Sequence, residues 1–157
     1  MSAEETRRFG QKHGSLDDRL EAVSRTLRLT RSTPILRWVG GTHPRVLELA
    51  AHADGWNGWA VTREKLVGIV SRLRAERSDV TISWGGSVVM GRDDSEVDDI
   101  VSGRNGRGGT ITGTTSSVPA ELRRLVDAGV DHLVVSVLPN RHQQWERFAG
   151  AVLGKLG

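Results

Sequence analysis

The stretch "VGGTHPR" (Val39 to Arg45) places two glycines, a threonine, a histidine and a proline where a short β-rich run gives way to a helical pattern. Residues with so little side chain let backbone N–H groups approach an anion closely, and a helix starting behind them adds unpaired donors and about half a positive charge. Phosphate is the natural ligand for such a junction. Gly40, Gly41 and Thr42 are the candidates for backbone contact; His43 lies in the same loop, and Arg45 adds a charge-assisted bond from the first helical turn. Pro44 or Thr42 sets the helix start. The same residues also read as a tight turn, a cap and a surface charge, and the pattern alone does not choose between these readings.

Other chemistries leave no comparable trace. The chain has no cysteine, so it carries no thiolate metal site, cysteine nucleophile or disulfide. Its five histidines, His13, His43, His52, His132 and His142, do not fall into H-E-x-x-H or a similar ligand spacing, and no metal site is expected. Asp17-Asp18, Asp93-Asp94 and Asp98-Asp99 are adjacent carboxylates on segments expected to face solvent rather than an acid–base pair. Ser87 in "WGGSVV" lacks the G-x-S-x-G spacing of a nucleophile elbow. No G-x-G-x-x-G follows the first strand, and the P-loop pattern is missing.

The sequence pI of about 10.1 suggests a nucleic-acid partner, but the net charge is only +3, from 22 Lys+Arg against 19 Asp+Glu. The only local basic cluster without acids is "GRNGR" (Gly103 to Arg107), and no basic stripe with stacking aromatics accompanies it. Nucleic-acid binding is therefore the least favoured class. With no apolar run of about 18 residues and no signal-peptide pattern, no membrane partner is expected and a cytoplasmic location is the default. At 157 residues the chain suits a single domain, residues 1–157, that buries roughly two-thirds of its unfolded surface. Residues 1–14 are expected to be poorly ordered.

The elements that must position the loop alternate along the chain. Ser15 caps a helix to Leu29 with Leu16, Leu20, Val23 and Leu27 inward. "PILRWV" (Pro34 to Val39) reads as a strand, Arg45 to Ala53 as a helix, and Gly55 to Trp59 as a short strand. A helix follows over Arg63 to Arg77, with Leu66, Val67, Ile69, Val70 and Leu73 inward. "VTISW" and "SVVMG" read as two strand pieces split by Gly85-Gly86, before a weakly helical Ser95 to Val101 and a short strand at Thr110 to Thr112. Pro119 to Ala128 is helical, Gly129 suits a left-handed C′ position, and "HLVVSVL" (His132 to Leu138) is an apolar strand before a last helix over about Gln143 to Leu156. Four or five strands alternating with helices imply right-handed crossovers and a parallel α/β sheet.

"PILRWVGGTHPRVLELAAHADGWNGW", "VTISWGGSVVMGRDDSE", "TGTTSSVPAELRRLVDAGVDHLVVSVLPN" and "WERFAGAVL", in this order and spacing, resemble the C-terminal half of luciferase-like monooxygenases, in particular their bacterial deazaflavin-dependent branch. The resemblance spans nearly the whole chain and implies half of a TIM-type (β/α)8 barrel. It also implies an oxidoreductase, either a monooxygenase or a deazaflavin-dependent dehydrogenase, that holds FMN or deazaflavin (coenzyme F-420) and a small organic substrate at the carboxyl ends of the strands. In such proteins the cofactor carries the hydride or oxygen chemistry and the protein orients it. The cofactor's phosphate falls to Gly40, Gly41 and Thr42, with His43 and Arg45 as further contacts; Asp54, Gly55, Trp56 and Asn57 match the "ADGWN" signature, in which Asp54 anchors the barrel or touches ligand and Trp56 packs. Two departures stand out. The family's N-terminal half is not represented, and Pro119 shifts the start of its helix, which puts any role of Gly113 and Thr114 in doubt. A half-barrel leaves two free strand edges and exposes the inner faces of "PILRWV" and "HLVVSVL", so pairing with a second copy or with a separate N-terminal half is expected. A binding or assembly module without catalysis is the main alternative to the enzyme.

Overall fold

The computed structural model describes residues 3–8, 10, 14–102 and 111–155. The basic "GRNGR" cluster, Thr110, Leu156 and six of the first fourteen residues lie outside the described part. In chain order the elements are α1 (Ala3–Arg8), α2 (Leu16–Leu29), β1 (Trp38–Gly40), α3 (Pro44–Ala50), β2 (Gly55–Trp59), α4 (Arg63–Glu76), β3 (Thr81–Gly91), α5 (Asp94–Ser102), β4 (Ile111–Thr114), α6 (Ser117–Asp127), β5 (His132–Leu138) and α7 (His142–Val152).

All strand pairings are parallel, as the β–helix alternation requires. β1 pairs with β2, and β2 with the first half of β3. Residues Ser83 to Gly85 pair with β2 and β5 at once, and Val88 and Val89 pair with β4 and β5 at once. Because a strand has only two edges, β2 and β4 share one edge of β3 and β5 takes the other. The main sheet therefore runs β1-β2-β3-β5, and β4 is an extra strand beside the carboxyl half of β3.

Side chains alternate across this sheet. One face is covered by helices: Val39, Trp56, Ile82, Trp84, Val88 and Met90 form its buried core with Leu47, Leu66, Leu73, Leu122 and Val152 of the helices. Spacing at i, i+3, i+4 and i+7 brings Leu66, Ile69, Val70 and Leu73 inward on α4, whereas Val67, expected on that face, is exposed. Val23 of α2 is exposed as well, although its spacing from Leu20 and Leu27 is helical, because the covered face runs through Leu20, Ser24 and Leu27; only Leu20 of that helix is fully buried.

The opposite face carries register rows such as Gly40–Asn57–Ser83–His132 and Trp59–Gly85–Val134. On it Trp38, Trp59 and Val134 are exposed, as expected for a half-barrel interior. The glycines of this face are required by its tryptophans. A Cβ on Gly55 would lie 2.7 Å from the Trp38 ring, and one on Gly85 would lie 2.4 Å from the Trp59 ring. Gly55→Ala is therefore expected to destabilise the fold by about 1–3 kcal/mol, the usual cost of overpacking. Urea unfolding with an unchanged midpoint would contradict this.

Three strand boundaries differ from the sequence reading. Pro34 to Arg37 are not in the sheet: the Arg37 N–H and guanidinium are taken by the Asp54 carboxylate and its carbonyl by the Asp54 and Gly55 N–H groups, so ladder pairing starts only at Trp38. Gly85-Gly86 does not split β3, because β2 and β5 pair across Gly85 from both edges. β4 extends through Gly113 and Thr114, and α6 starts at Ser117, two residues before Pro119. Pro119 then sits in the first turn, where a missing N–H costs no helical bond. Gly129 has φ +96°, the left-handed cap position anticipated.

Candidate functional site

The Gly40–Arg45 loop leaves β1 at the carboxyl end of the sheet, the end at which parallel α/β sheets bind ligands. Gly41 adopts φ +122°, a conformation that side-chain-bearing residues rarely take. Its N–H reaches the Asn57 carbonyl at 3.4 Å, and its carbonyl accepts a 2.9 Å bond from Nε1 of the buried Trp56. Since a peptide is planar and trans, fixing the Gly41 carbonyl toward Trp56 aims the Thr42 N–H the other way. Neither the Thr42 nor the His43 N–H has a protein acceptor among the described residues. Lys65, at the start of α4, places its ammonium 3.1 Å from Thr42 Oγ1.

The five candidates thus divide. Gly40, Gly41 and Thr42 form one turn, in which the Gly41 N–H is taken by the Asn57 carbonyl and the Thr42 N–H is free beside the Lys65 ammonium. His43 is the N-cap of α3, and its Nδ1 accepts the Arg45 N–H at 3.3 Å. Arg45 pairs its guanidinium with Asp17 of α2, so its charge is already answered. α3 has only seven residues, so its macrodipole adds less than the sequence reading assigned, and the donors and Lys65 carry the electrostatics. Two contributors escaped the sequence reading. Lys65 lies 23 residues from Thr42 and meets it only through the β1–α3–β2–α4 crossover, while Trp56 read simply as packing.

Asp54 is an anchor. Its two oxygens take Arg37 Nε at 2.9 Å, Arg37 Nη2 at 3.0 Å and the Arg37 backbone N–H at 2.8 Å, and Arg77 lies 3.9 Å away. The Arg37 guanidinium and backbone bonds, helped by the charges of Arg37 and Arg77, outweigh partial desolvation and lower the Asp54 pKa to about 2. The carboxylate ties the residue before β1 to the start of β2.

Beside the loop, the uncovered sheet face presents few charges. Asn57 Nδ2 donates to Ser83 Oγ at 2.9 Å, Trp59 covers Gly85, and Val134, Ser136 and Leu138 continue along β5. His132 lies at the amino end of β5 against Trp38, with ring centroids 6.0 Å apart. Among the described residues no group of three or more metal-ligating side chains is present, and no helix is long and apolar enough to cross a membrane.

No family model matches this chain, and no curated protein does. Among solved structures it is similar to an F420-dependent secondary alcohol dehydrogenase in complex with an F420-acetone adduct, with TM-score 0.69 and 12% identity, over 93% of this chain and 64% of that one. At this identity the likeness establishes the fold class, an α/β parallel sheet of the TIM-barrel type, of which this chain spans only part.

Proposed function

We propose that this chain is the cofactor-holding part of a deazaflavin-dependent oxidoreductase. The observation that carries the reading is the pair of free N–H groups at Thr42 and His43, the first aimed by the Trp56–Gly41 bond and flanked by Lys65. Such a set fits a phosphate group: backbone donors take its oxygens and the ammonium balances its charge. The likeness to an F420-dependent enzyme points to deazaflavin rather than FMN.

When bound, the deazaflavin supplies hydride transfer. The protein's part is positioning. The Thr42 and His43 N–H groups hold the phosphate, and Trp56 keeps the Gly41–Thr42 peptide from turning. Trp59, Gly85 and Val134 offer a flat, apolar wall to a ring system, and the Ser136 hydroxyl lies on the same strand face for a polar group of a small organic substrate. No acid–base pair stands beside the loop among the described residues, so this chain contributes binding and orientation rather than proton transfer.

The test is titration of the purified chain with oxidised coenzyme F-420, followed by its absorbance. Saturable binding is expected. Trp56→Phe keeps the ring but deletes the N–H, and should weaken affinity about tenfold, the scale of one or two lost hydrogen bonds. No saturable binding, or equal affinity in a folded Trp56→Phe variant, would count against the reading. Binding without turnover of added secondary alcohols would support the module without catalysis.

A further inference from the structure

At the amino ends of the strands, away from the Gly41 loop, the end of α2, the residues before β1 and the loops after α3 and α4 enclose a cleft of about 490 Å³. Its wall carries Arg28, Arg31, Arg37, Arg77 and His52 and no carboxylate. Leu27, Leu49 and Ala51 complete it with apolar surface.

The charges of this wall are arranged in two layers. Arg37 and Arg77 are the inner pair, with side chains 18% and 30% exposed, both held by Asp54 and with Arg77 also paired to Asp79. Arg28 is the outer one, paired to Glu21 at 3.0 Å. Arg31 makes no side-chain hydrogen bond or ion pair among the described residues. Four guanidinium groups therefore face three carboxylates, which leaves an excess of positive charge at a half-enclosed, partly apolar place. A second cleft of about 420 Å³ continues from it, sharing Ser24, Leu49 and His52; there the one guanidinium, Arg45, is paired to Asp17, and Glu21 and Glu48 leave no excess of positive charge.

We infer that the basic cleft binds a small organic anion with a single anionic head, a phosphate monoester or a carboxylate, whose apolar body lies on Leu27 and Leu49. The volume is that of ordinary small-molecule sites. Guanidinium groups suit either head through paired N–H donors. The excess of positive charge ends where the adjoining cleft begins, so a ligand whose negative charge continues along its length finds no further cations there, and this is not a nucleic-acid groove. The inference is independent of the deazaflavin reading.

The experiment is an NMR titration of the isotopically labelled chain with phenyl phosphate and with phenylacetate, using phenol as the neutral control and a short oligonucleotide as the polyanion. Saturable shifts at Arg31, Ala51 and His52 are expected for at least one of the two anions, and whichever binds more tightly identifies the head group. Phenol should cause none. Arg31→Gln, an exposed change that keeps the fold, should weaken binding about fivefold to tenfold, the worth of a charge-assisted bond, and added salt should weaken it further. The inference is overturned if neither anion saturates at millimolar concentration or Arg31→Gln binds as the parent does. It is equally overturned if the shifts centre on Gly41, Thr42 and Lys65, or if the oligonucleotide binds more tightly than both small anions.

Discussion

Gly41→Val is expected to lower deazaflavin affinity by about tenfold to a hundredfold, the loss of one charge-assisted hydrogen bond, while the chain stays folded. The space around Gly41 is not the reason: a Cβ there would meet Val46 Cγ1 at 3.4 Å, an ordinary contact. The backbone is. At φ +122° a β-branched residue is strongly disfavoured, so the Gly41–Thr42 peptide must rotate. Rotation breaks the Trp56 bond to the Gly41 carbonyl and swings the Thr42 N–H off the phosphate position. Arg45→Gln is the matched control. Its guanidinium is engaged with Asp17, so its removal should leave affinity within about twofold, in the range of exposed charge effects. Fluorescence titration of both variants, with circular dichroism to establish folding, decides the matter. Should Gly41→Val bind normally, the loop is not the phosphate site; should Arg45→Gln be the damaging change, the contact runs through the side chain.

Asp54→Asn is expected to cost about 2–3 kcal/mol of stability at neutral pH, because it removes the charge from hydrogen bonds that join β1 to β2. The pH dependence has a definite sign. The Asp54 carboxyl titrates near about 2 in the folded chain and near about 3.9 when unfolded. Its stabilisation is thus complete above about pH 4 and fades as pH falls toward 2. Glu96 behaves likewise, lowered to about 2 by the Arg92 backbone and side chain and by Arg147. The parent should therefore lose stability over this window, and Asp54→Asn should lose less of it while retaining the part due to Glu96. Urea unfolding at pH 7, 4 and 3 measures both effects. Equal stability at pH 7, or identical acid slopes, would remove Asp54 from its anchoring role.

Much of the scaffold was legible because it depends on local chemistry. Ser15 caps α2 with a reciprocal bond to Asp18, Gly129 ends α6 with positive φ, and the apolar spacing of α4 and the run of β5 specify their types. The candidate loop was legible as a strand-to-helix junction rich in glycine. Its electrostatics were not, because they come from residues remote in sequence: Lys65 arrives through a crossover, Arg45 is drawn off by Asp17 of a different helix, and Trp56 reaches back fifteen positions to Gly41.

The sequence by itself determined the order and kind of the elements, the parallel α/β class they imply and the place of the Gly-Gly turn, since periodicity, capping and glycine's conformational freedom act over a few residues. Only the tertiary structure decided where strands begin and what the site contains. Asp54 holds Arg37 out of the ladder, Trp59 fills the space that Gly85 leaves so that β3 runs unbroken, and β5 takes the free edge of β3. Each of these depends on which side chain occupies the volume beside a given backbone group, and that is set by packing between segments dozens of residues apart.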